Sequence, residues 1–494
     1  MRTAGILLPI TSLPNKYGIG CFSLQAKEFI DFLKLAGQHY WQILPIGPAG
    51  LGYSPYQSYC TFAIDPMFID IQSLIDEGTL TDGECRALEG FSDNYADYEN
   101  IIPIKLSLLK KSYKRRGDHK KLEEFAEREA YWLDSFALFM DIHDRLNGLT
   151  YTKWSEEFRL PDWSVVDRYK EEHDDDINFY RYVQFKAYEQ WMKIKEYANK
   201  NNVEIIGDLP IYVSPDGSDV WLDKPLFQMD CKGNMDYIAG CPGDDYALKG
   251  QLWGNPLYNW DYHRETGYAW WISRMEKALK LYDVVRIDHF RGFDEYFSIP
   301  VKDENADNGR WIQGPGMDLF NALKKRFGDG LRVIAEDLGF LTDSVRKLRT
   351  ESGFPGMKVL QFAYNGYSGN EYLPHLHVPN SVCYTGTHDN QTTLGWLTDK
   401  NINKDVIKHI LEYHGIDKKI SKEALVKRII AIAYASVANT CIIPMQDYLC
   451  LDNSARINIP STVGGRNWRW RMKTVPEKKL AENILHLVKL YGRG

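Results

Sequence analysis

Cysteine is scarce and scattered in this chain. The eight thiols, at positions 21, 60, 85, 231, 241, 383, 441 and 450, include no C-x-x-C pair. They match neither a zinc site nor a disulfide framework, and reduced thiols in a cytoplasmic protein are the simplest account. No H-x-x-x-H or similar ligand spacing supports a metal site at His289 or His388, and no metal and no cofactor are expected. An excess of basic residues is missing as well. The formal net charge is −7, which argues against a nucleic-acid backbone as partner. Long apolar runs are also lacking. The N-terminal run within residues 1–10 is too short for a signal peptide. The longest stretch, between Arg428 and Gln446, is broken by Ser436, Asn439, Thr440 and Pro444. It reads as a buried helix running into a strand and not as a membrane span. No short-period repeat and no low-complexity tract is present, and nothing in the sequence sets the oligomeric state.

Aromatic residues are plentiful, with 14 Trp, 31 Tyr and 21 Phe among 494 residues. Sugars have flat apolar faces that such rings cover, although a rich core gives the same count. The length suits one large barrel or two to three ordinary domains.

The most informative stretch is Val284-Val285-Arg286-Ile287-Asp288-His289-Phe290-Arg291-Gly292-Phe293. Its β-branched start reads as a buried strand. Alternation places Val285 and Ile287 on one face, and Arg286 and Asp288 on the other. An Arg and an Asp on a buried face are costly unless they pair or do chemistry. Seven other segments read as strands: 5–10, 38–46, 204–213, 331–339, 358–363, 382–390 and 441–449. Helical spacing separates most of them. Between strands two and three, over 66–200, helical periodicity dominates, which points to a large helical insertion subdomain. Residues 214–260, with the Gly/Pro-rich 240–258, read as a loop insertion covering the active site. Eight strand-and-helix units with polar residues at strand C-termini point to an α/β fold, a single (β/α)8 TIM barrel over 1–494. A final helix over 477–491 leaves no room for a C-terminal β-sandwich domain.

In such a barrel the ends of strands four, five and seven converge, bringing Asp288, Glu336 and Asp389 over one mouth. Glycosidic bond cleavage needs two carboxylates, one to attack the anomeric carbon and one to protonate the leaving oxygen. A third can bind hydroxyls of a distorted ring. Arg286 would keep Asp288 ionised and oriented. Glu336 would need a raised pKa to act as an acid. Asp337 reads as a surface acid or helix cap. His289 and His388, each beside a proposed catalytic Asp, read as donors to sugar hydroxyls.

Three strings, Arg286-Ile-Asp288-His289-Phe-Arg291-Gly-Phe, Ala335-Glu336-Asp337-Leu-Gly339 and Thr385-Gly-Thr387-His388-Asp389-Asn390, resemble those of the amylomaltases. These are the 4-α-glucanotransferases, or disproportionating enzymes, related to the α-amylase superfamily. Ser54-Pro-Tyr56-Gln57, Gly207-Asp208-Leu-Pro-Ile-Tyr-Val213, Gly250-Gln-Leu-Trp253-Gly-Asn255-Pro-Leu-Tyr258 and Asn467-Trp468-Arg-Trp470-Arg471 are similar to further motifs of that family, in the right order. The resemblance implies transfer of an α-1,4-glucan segment between maltooligosaccharides by retaining double displacement. It implies Asp288 as nucleophile, Glu336 as acid/base and Asp389 as transition-state stabiliser. It also implies Arg286, Asp208 and His388 around the reacting sugar, Trp253 and Asn255 on a loop over bound glucan, and sugar contacts from Ser54, Tyr56 and Asn467. Two departures stand out. Gly243 and Asp245 replace a Pro and an aromatic residue in the loop before Trp253, and Arg466 is inserted between Gly465 and Asn467. Hydrolysis of α-1,4-glucan by the same carboxylates, or glucan binding without catalysis, are the other readings.

Overall fold

The computed structural model describes residues 2–243, 248–339, 341–402 and 404–494. The strands in chain order are β1 (Thr3–Leu7), β2 (Tyr40–Gln42), β3 (Glu204–Leu209), β4 (Tyr237–Cys241), β5 (Gln251–Pro256), β6 (Val284–Ile287), β7 (Glu295–Pro300), β8 (Arg310–Gln313), β9 (Val333–Ala335), β10 (Gly356–Val359), β11 (Ser381–Tyr384) and β12 (Thr440–Pro444). Eight of them close a parallel barrel in the order β1-β12-β11-β10-β9-β6-β3-β2. These are the eight expected from the sequence, and each is shorter than its pattern. The ladders stop where the polar residues begin. Asp288 and Glu336 each follow the last residue of β6 and β9.

Alternation sorts the barrel strands. Leu7, Ile206, Val284, Ile334, Met357, Val359, Val382, Tyr384 and Ile442 form one buried cluster. Val285 and Ile287 belong instead to the larger core shared with the surrounding helices. Arg286 therefore shares its face with Val284, and Asp208 shares its face with Ile206. The β3–β6 register sets Asp208 directly opposite Arg286. Between Ile206 and Asp208, Gly207 leaves space that the strand needs: a Cβ there would lie 2.1 Å from the ring of Tyr282.

Helices dominate the chain between β2 and β3, chiefly Tyr98–Lys114, His119–Arg145 and Asp174–Lys200. Asp174, Asp175 and Asp176 open the last of these, where the helix dipole favours negative charge. The helix His119–Arg145 is fastened to the barrel helix Ala269–Leu281 by a Glu129–Lys277 ion pair of 2.5 Å. The Lys277 ammonium also lies over the rings of Tyr188 and Trp132.

One expectation needs correction. Residues 214–260 are not loop throughout: they contain a short helix, Ser218–Leu222, and strands β4 and β5. These two strands pair with β7 and β8 in an antiparallel sheet ordered β5-β4-β7-β8. Their Gly and Pro content hides them locally, because β4 is stabilised by β7, which lies beyond β6 in the chain.

The end of the barrel where the strands begin is closed by Arg493, whose side chain is fully buried. Its guanidinium donates to the carbonyls of Tyr434 (2.7 Å), Thr3 (3.1 Å), Asn439 (3.4 Å) and Ser436 (2.7 Å). Arg493→Ala would strand those acceptors and is expected to cost about 3 kcal/mol. A lowered urea midpoint with an unchanged slope would report it. Among the described residues, no helix is long and apolar enough to cross a membrane.

Candidate active site

The site is built around one buried cation. Arg286 Nη1 donates to both oxygens of Asp208, at 2.7 and 2.6 Å, and Nη2 lies 2.9 Å from Asp288 Oδ1. Such charge-assisted contacts are stronger than neutral ones and fix orientation. The Arg286 and Asp208 side chains are almost inaccessible, whereas that of Asp288 is 28% exposed. Asp288 is therefore the member of the trio that faces the open mouth. Tyr56 joins the group from the loop after β2, its hydroxyl donating to Asp208 Oδ2 at 2.6 Å. The same hydroxyl lies 2.9 Å from His388 Nε2. Having donated its only proton to Asp208, Tyr56 must accept from His388, which assigns the Nε2–H tautomer. The two rings stack, with centroids 5.3 Å apart. His388 Nε2 is also 3.3 Å from Asp389 Oδ2. One polar chain thus runs Asp389–His388–Tyr56–Asp208–Arg286–Asp288.

Glu336 is held by backbone. The N–H groups of His289 and Leu338 donate to its two carboxylate oxygens at 2.6 and 2.9 Å. The first contact depends on His289 adopting a left-handed conformation, φ 49°, unusual for a non-glycine residue. The His289 ring stands edge-on to Trp253 at 4.9 Å, and its Nε2 is buried with no hydrogen-bond partner among the described residues.

Asp389 is set by a segment the sequence did not single out. Asn458 Nδ2 donates to Asp389 Oδ1 at 2.7 Å, and Arg456 Nη2 donates to its backbone carbonyl at 2.7 Å. The available signal was weak: two polar residues in the loop after the eighth strand, where the other strand ends also carried polar groups.

The remaining expected residues fall into two groups. Trp253, on β5, is partly exposed beside His289, with Nε1 donating to Gln251. Asn255, Ser54 and Asn467 use their side chains on protein. Asn255 donates to the Val213 carbonyl at 2.7 Å and Ser54 Oγ accepts the Tyr56 N–H. Asn467 accepts from the Ile459 N–H and donates to the carbonyl and hydroxyl of Thr462, bracing the loop 459–467. Of the unusual loop, Gly243 is described, whereas Asp245 lies outside the described residues. Asp337 is a correction: it is not a surface acid but is 2% exposed, paired with Arg349 and accepting the Met357 N–H at 2.7 Å. Its alternation away from Glu336 turned it into the packed side of the barrel wall.

Burial pushes the carboxyls of both Asp288 and Glu336 above the usual range, and the Arg286 charge is the main opposing influence on each. Asp208, Glu336 and Asp389 push Asp288 further up. Burial and the Arg291 charge lower His289 to about 3, and burial lowers His388, so both imidazoles are neutral near pH 7. Three carboxylates from three strand ends, one buried guanidinium and two neutral imidazoles suit nucleophilic and acid/base chemistry on a polyhydroxylated substrate. Among the described residues, no cluster of three or more His, Cys, Asp or Glu could hold a metal ion.

Comparison with known proteins is consistent across sequence and structure. The family model for 4-alpha-glucanotransferase matches residues 8–477. A 4-alpha-glucanotransferase of Clostridium butyricum is 43% identical over 491 residues, covering 98% of this chain and 99% of its own. One from Streptococcus pneumoniae is 43% identical over 498 residues, covering 100% and 97%. The amylomaltase from Streptococcus agalactiae, solved in complex with acarbose, superposes with a TM-score of 0.96 at 34% identity and full coverage of both chains.

Proposed function

Since the chain belongs to the 4-alpha-glucanotransferase family, we propose that it moves an α-1,4-glucan segment between maltooligosaccharides by double displacement through Asp288, Glu336 and Asp389. Asp288 attacks C1 of the donor sugar from the β face. The bond from C1 to the leaving O4 breaks as Glu336 gives that oxygen its proton. The product is a covalent β-glycosyl ester on Asp288 and a shortened glucan. Glu336, now ionised, takes the proton from the 4-hydroxyl of an acceptor glucose or glucan. That oxygen attacks C1, the ester breaks, and the α configuration is restored. Asp389 grips ring hydroxyls as charge develops on the sugar. His388, His289, Tyr56 and Asp208 would orient the same ring, and Trp253 would cover it.

The single observation that carries this reading is the Arg286 contact to Asp288. Arg286 favours the anion that must attack, while Glu336 has no cation in contact with it among the described residues and is the better place for the shared proton. In the same reading 1–494 is one catalytic barrel, 66–200 is a helical insertion subdomain within it, and 214–260 lies over the site. We also place the protein in a reducing compartment, the cytoplasm, supported by eight free cysteines of which five are buried.

Incubation with maltotriose alone, with products separated by chain length, tests the activity. Glucose plus a ladder of longer oligosaccharides, with no gain in reducing ends, is the expected result. Glucose and maltose only, with reducing ends rising, would mean hydrolysis instead.

A further inference from the structure

Asp447 is 2% exposed and lies just beyond β12. Among the described residues, its carboxylate accepts three hydrogen bonds, all from two threonines. Thr385 Oγ1 donates to Oδ2 at 2.5 Å, Thr393 Oγ1 to Oδ2 at 2.7 Å, and the Thr393 N–H to Oδ1 at 2.7 Å. Thr385 follows the last residue of β11, and Thr393 opens the helix Thr393–Thr398. Both threonines are fully buried. They are the two ends of the loop that carries His388 and Asp389. Within that loop the Thr387 N–H and hydroxyl both donate to Asn390 Oδ1, and the Asp389 N–H donates to Thr387 Oγ1. The loop thus carries its own internal bracing, and the Asp447 carboxylate ties its two ends together. The segment that Asp447 begins then returns to the same residue through Arg456 and Asn458.

From this geometry we infer that Asp447 is a positioning residue for Asp389, pinning both ends of the loop that presents it. A carboxylate suits the task because it is an acceptor only and can take three converging donors at once. A neutral donor-bearing side chain would set an N–H against one of them. A buried carboxylate served by neutral donors alone is costly to keep, and the positional gain at Asp389 accounts for that cost. The inference rests on the reading of Asp389 as the residue that grips the sugar in the transition state.

The test is a double-mutant cycle in the full chain, assayed with a maltooligosaccharyl fluoride donor so that weak variants stay measurable. Asp447→Asn is expected to lower kcat by about 10- to 100-fold, the scale of a small misplacement of a reacting group. Maltoheptaose binding by calorimetry should stay within about threefold. In an Asp389→Asn background, Asp447→Asn should add no more than about threefold, because its route of action is already gone. Thr385→Val, which removes one of the three bonds with little change of shape, should show a smaller loss of the same kind. It also serves where Asp447→Asn fails to fold. A full additive penalty on top of an impaired Asp389→Asn would overturn the inference and leave the reading of Asp389 standing. So would a loss that tracks thermal stability and appears in KM as much as in kcat. A fully active Asp389→Asn would overturn both.

Discussion

Asp288→Asn is expected to lower glucan transfer by roughly 10,000-fold or more while leaving maltoheptaose binding within about threefold. The amide matches the carboxylate in shape but cannot form the glycosyl ester. The fold should tolerate the change, because Arg286 keeps both of its contacts to Asp208. A stronger version of the experiment uses Asp288→Gly with azide and a maltooligosaccharyl fluoride. The small anion can enter from the face that the carboxylate occupied, so the product should be the β-glycosyl azide, inverted relative to the α donor. Calorimetry gives the binding half and product chromatography the rest. Full activity in Asp288→Asn, or an α-azide from Asp288→Gly, would remove Asp288 from the nucleophile role.

The second large effect concerns Arg286. Arg286→Met keeps an apolar stem of similar reach and removes every donor. Asp208 and Asp288 are then left close together without the cation between them. Breaking a buried ion pair from one side typically costs about 3–5 kcal/mol, because the surviving charges lose their compensation. Transfer should fall by at least about 1,000-fold, since Asp288 loses both its orientation and the partner that favours its anion. The pH dependence supplies a sign check. Arg286 is the largest influence holding the Asp288 carboxyl down, so without it the folded-state pKa climbs further above its unfolded value. A carboxyl with a raised folded pKa penalises the fold where it is ionised and ceases to do so once protonated. The stability deficit of Arg286→Met should therefore narrow as pH falls below the range where Asp288 titrates, which urea unfolding at a series of pH values would reveal. Arg286→Lys should recover little, because one ammonium cannot serve two Asp208 oxygens and Asp288 in the geometry of a planar fork.

Much of this site was legible before any coordinates, for a physical reason. Residues at the ends of barrel strands converge whatever the intervening sequence does, so a strand pattern followed by a carboxylate is already a statement about three-dimensional position. Asp288, Glu336 and Asp389 could be placed at one mouth on that ground, and Asp208 opposite Arg286 follows from parallel register. What was not legible depends on contacts between segments far apart in the chain. Strands β4 and β5 looked like loop because β4 takes its pairing from β7, which lies beyond β6, and β5 takes its pairing from β4. Asn458 carries no periodic signature, and only folding brings its amide to Asp389. Asn467 stood out by motif, but that its amide braces its own loop emerges only in the fold. Asp337 was misjudged because alternation says which wall a side chain faces but not what waits there, in this case Arg349.

The antiparallel sheet carries one more consequence, for how the chain reaches its native state. β4 and β7 flank β6 and residues 288–293 in sequence, and Tyr237 pairs with Pro300 across that whole span. The β4–β7 ladder closes a loop that contains β6, which itself lies between β3 and β9 in the barrel. Long loops must close before such a pairing returns any stabilisation, which makes it slow compared with the local helices around it. Trp253 rides on β5, one of the two edge strands of this sheet, which takes its pairing from β4. Trp253 and its β4–β5 pair thus join the rest of the sheet only when β4 meets β7. A chain stalled before that step would hold β4 and β5 paired with each other but not with β7.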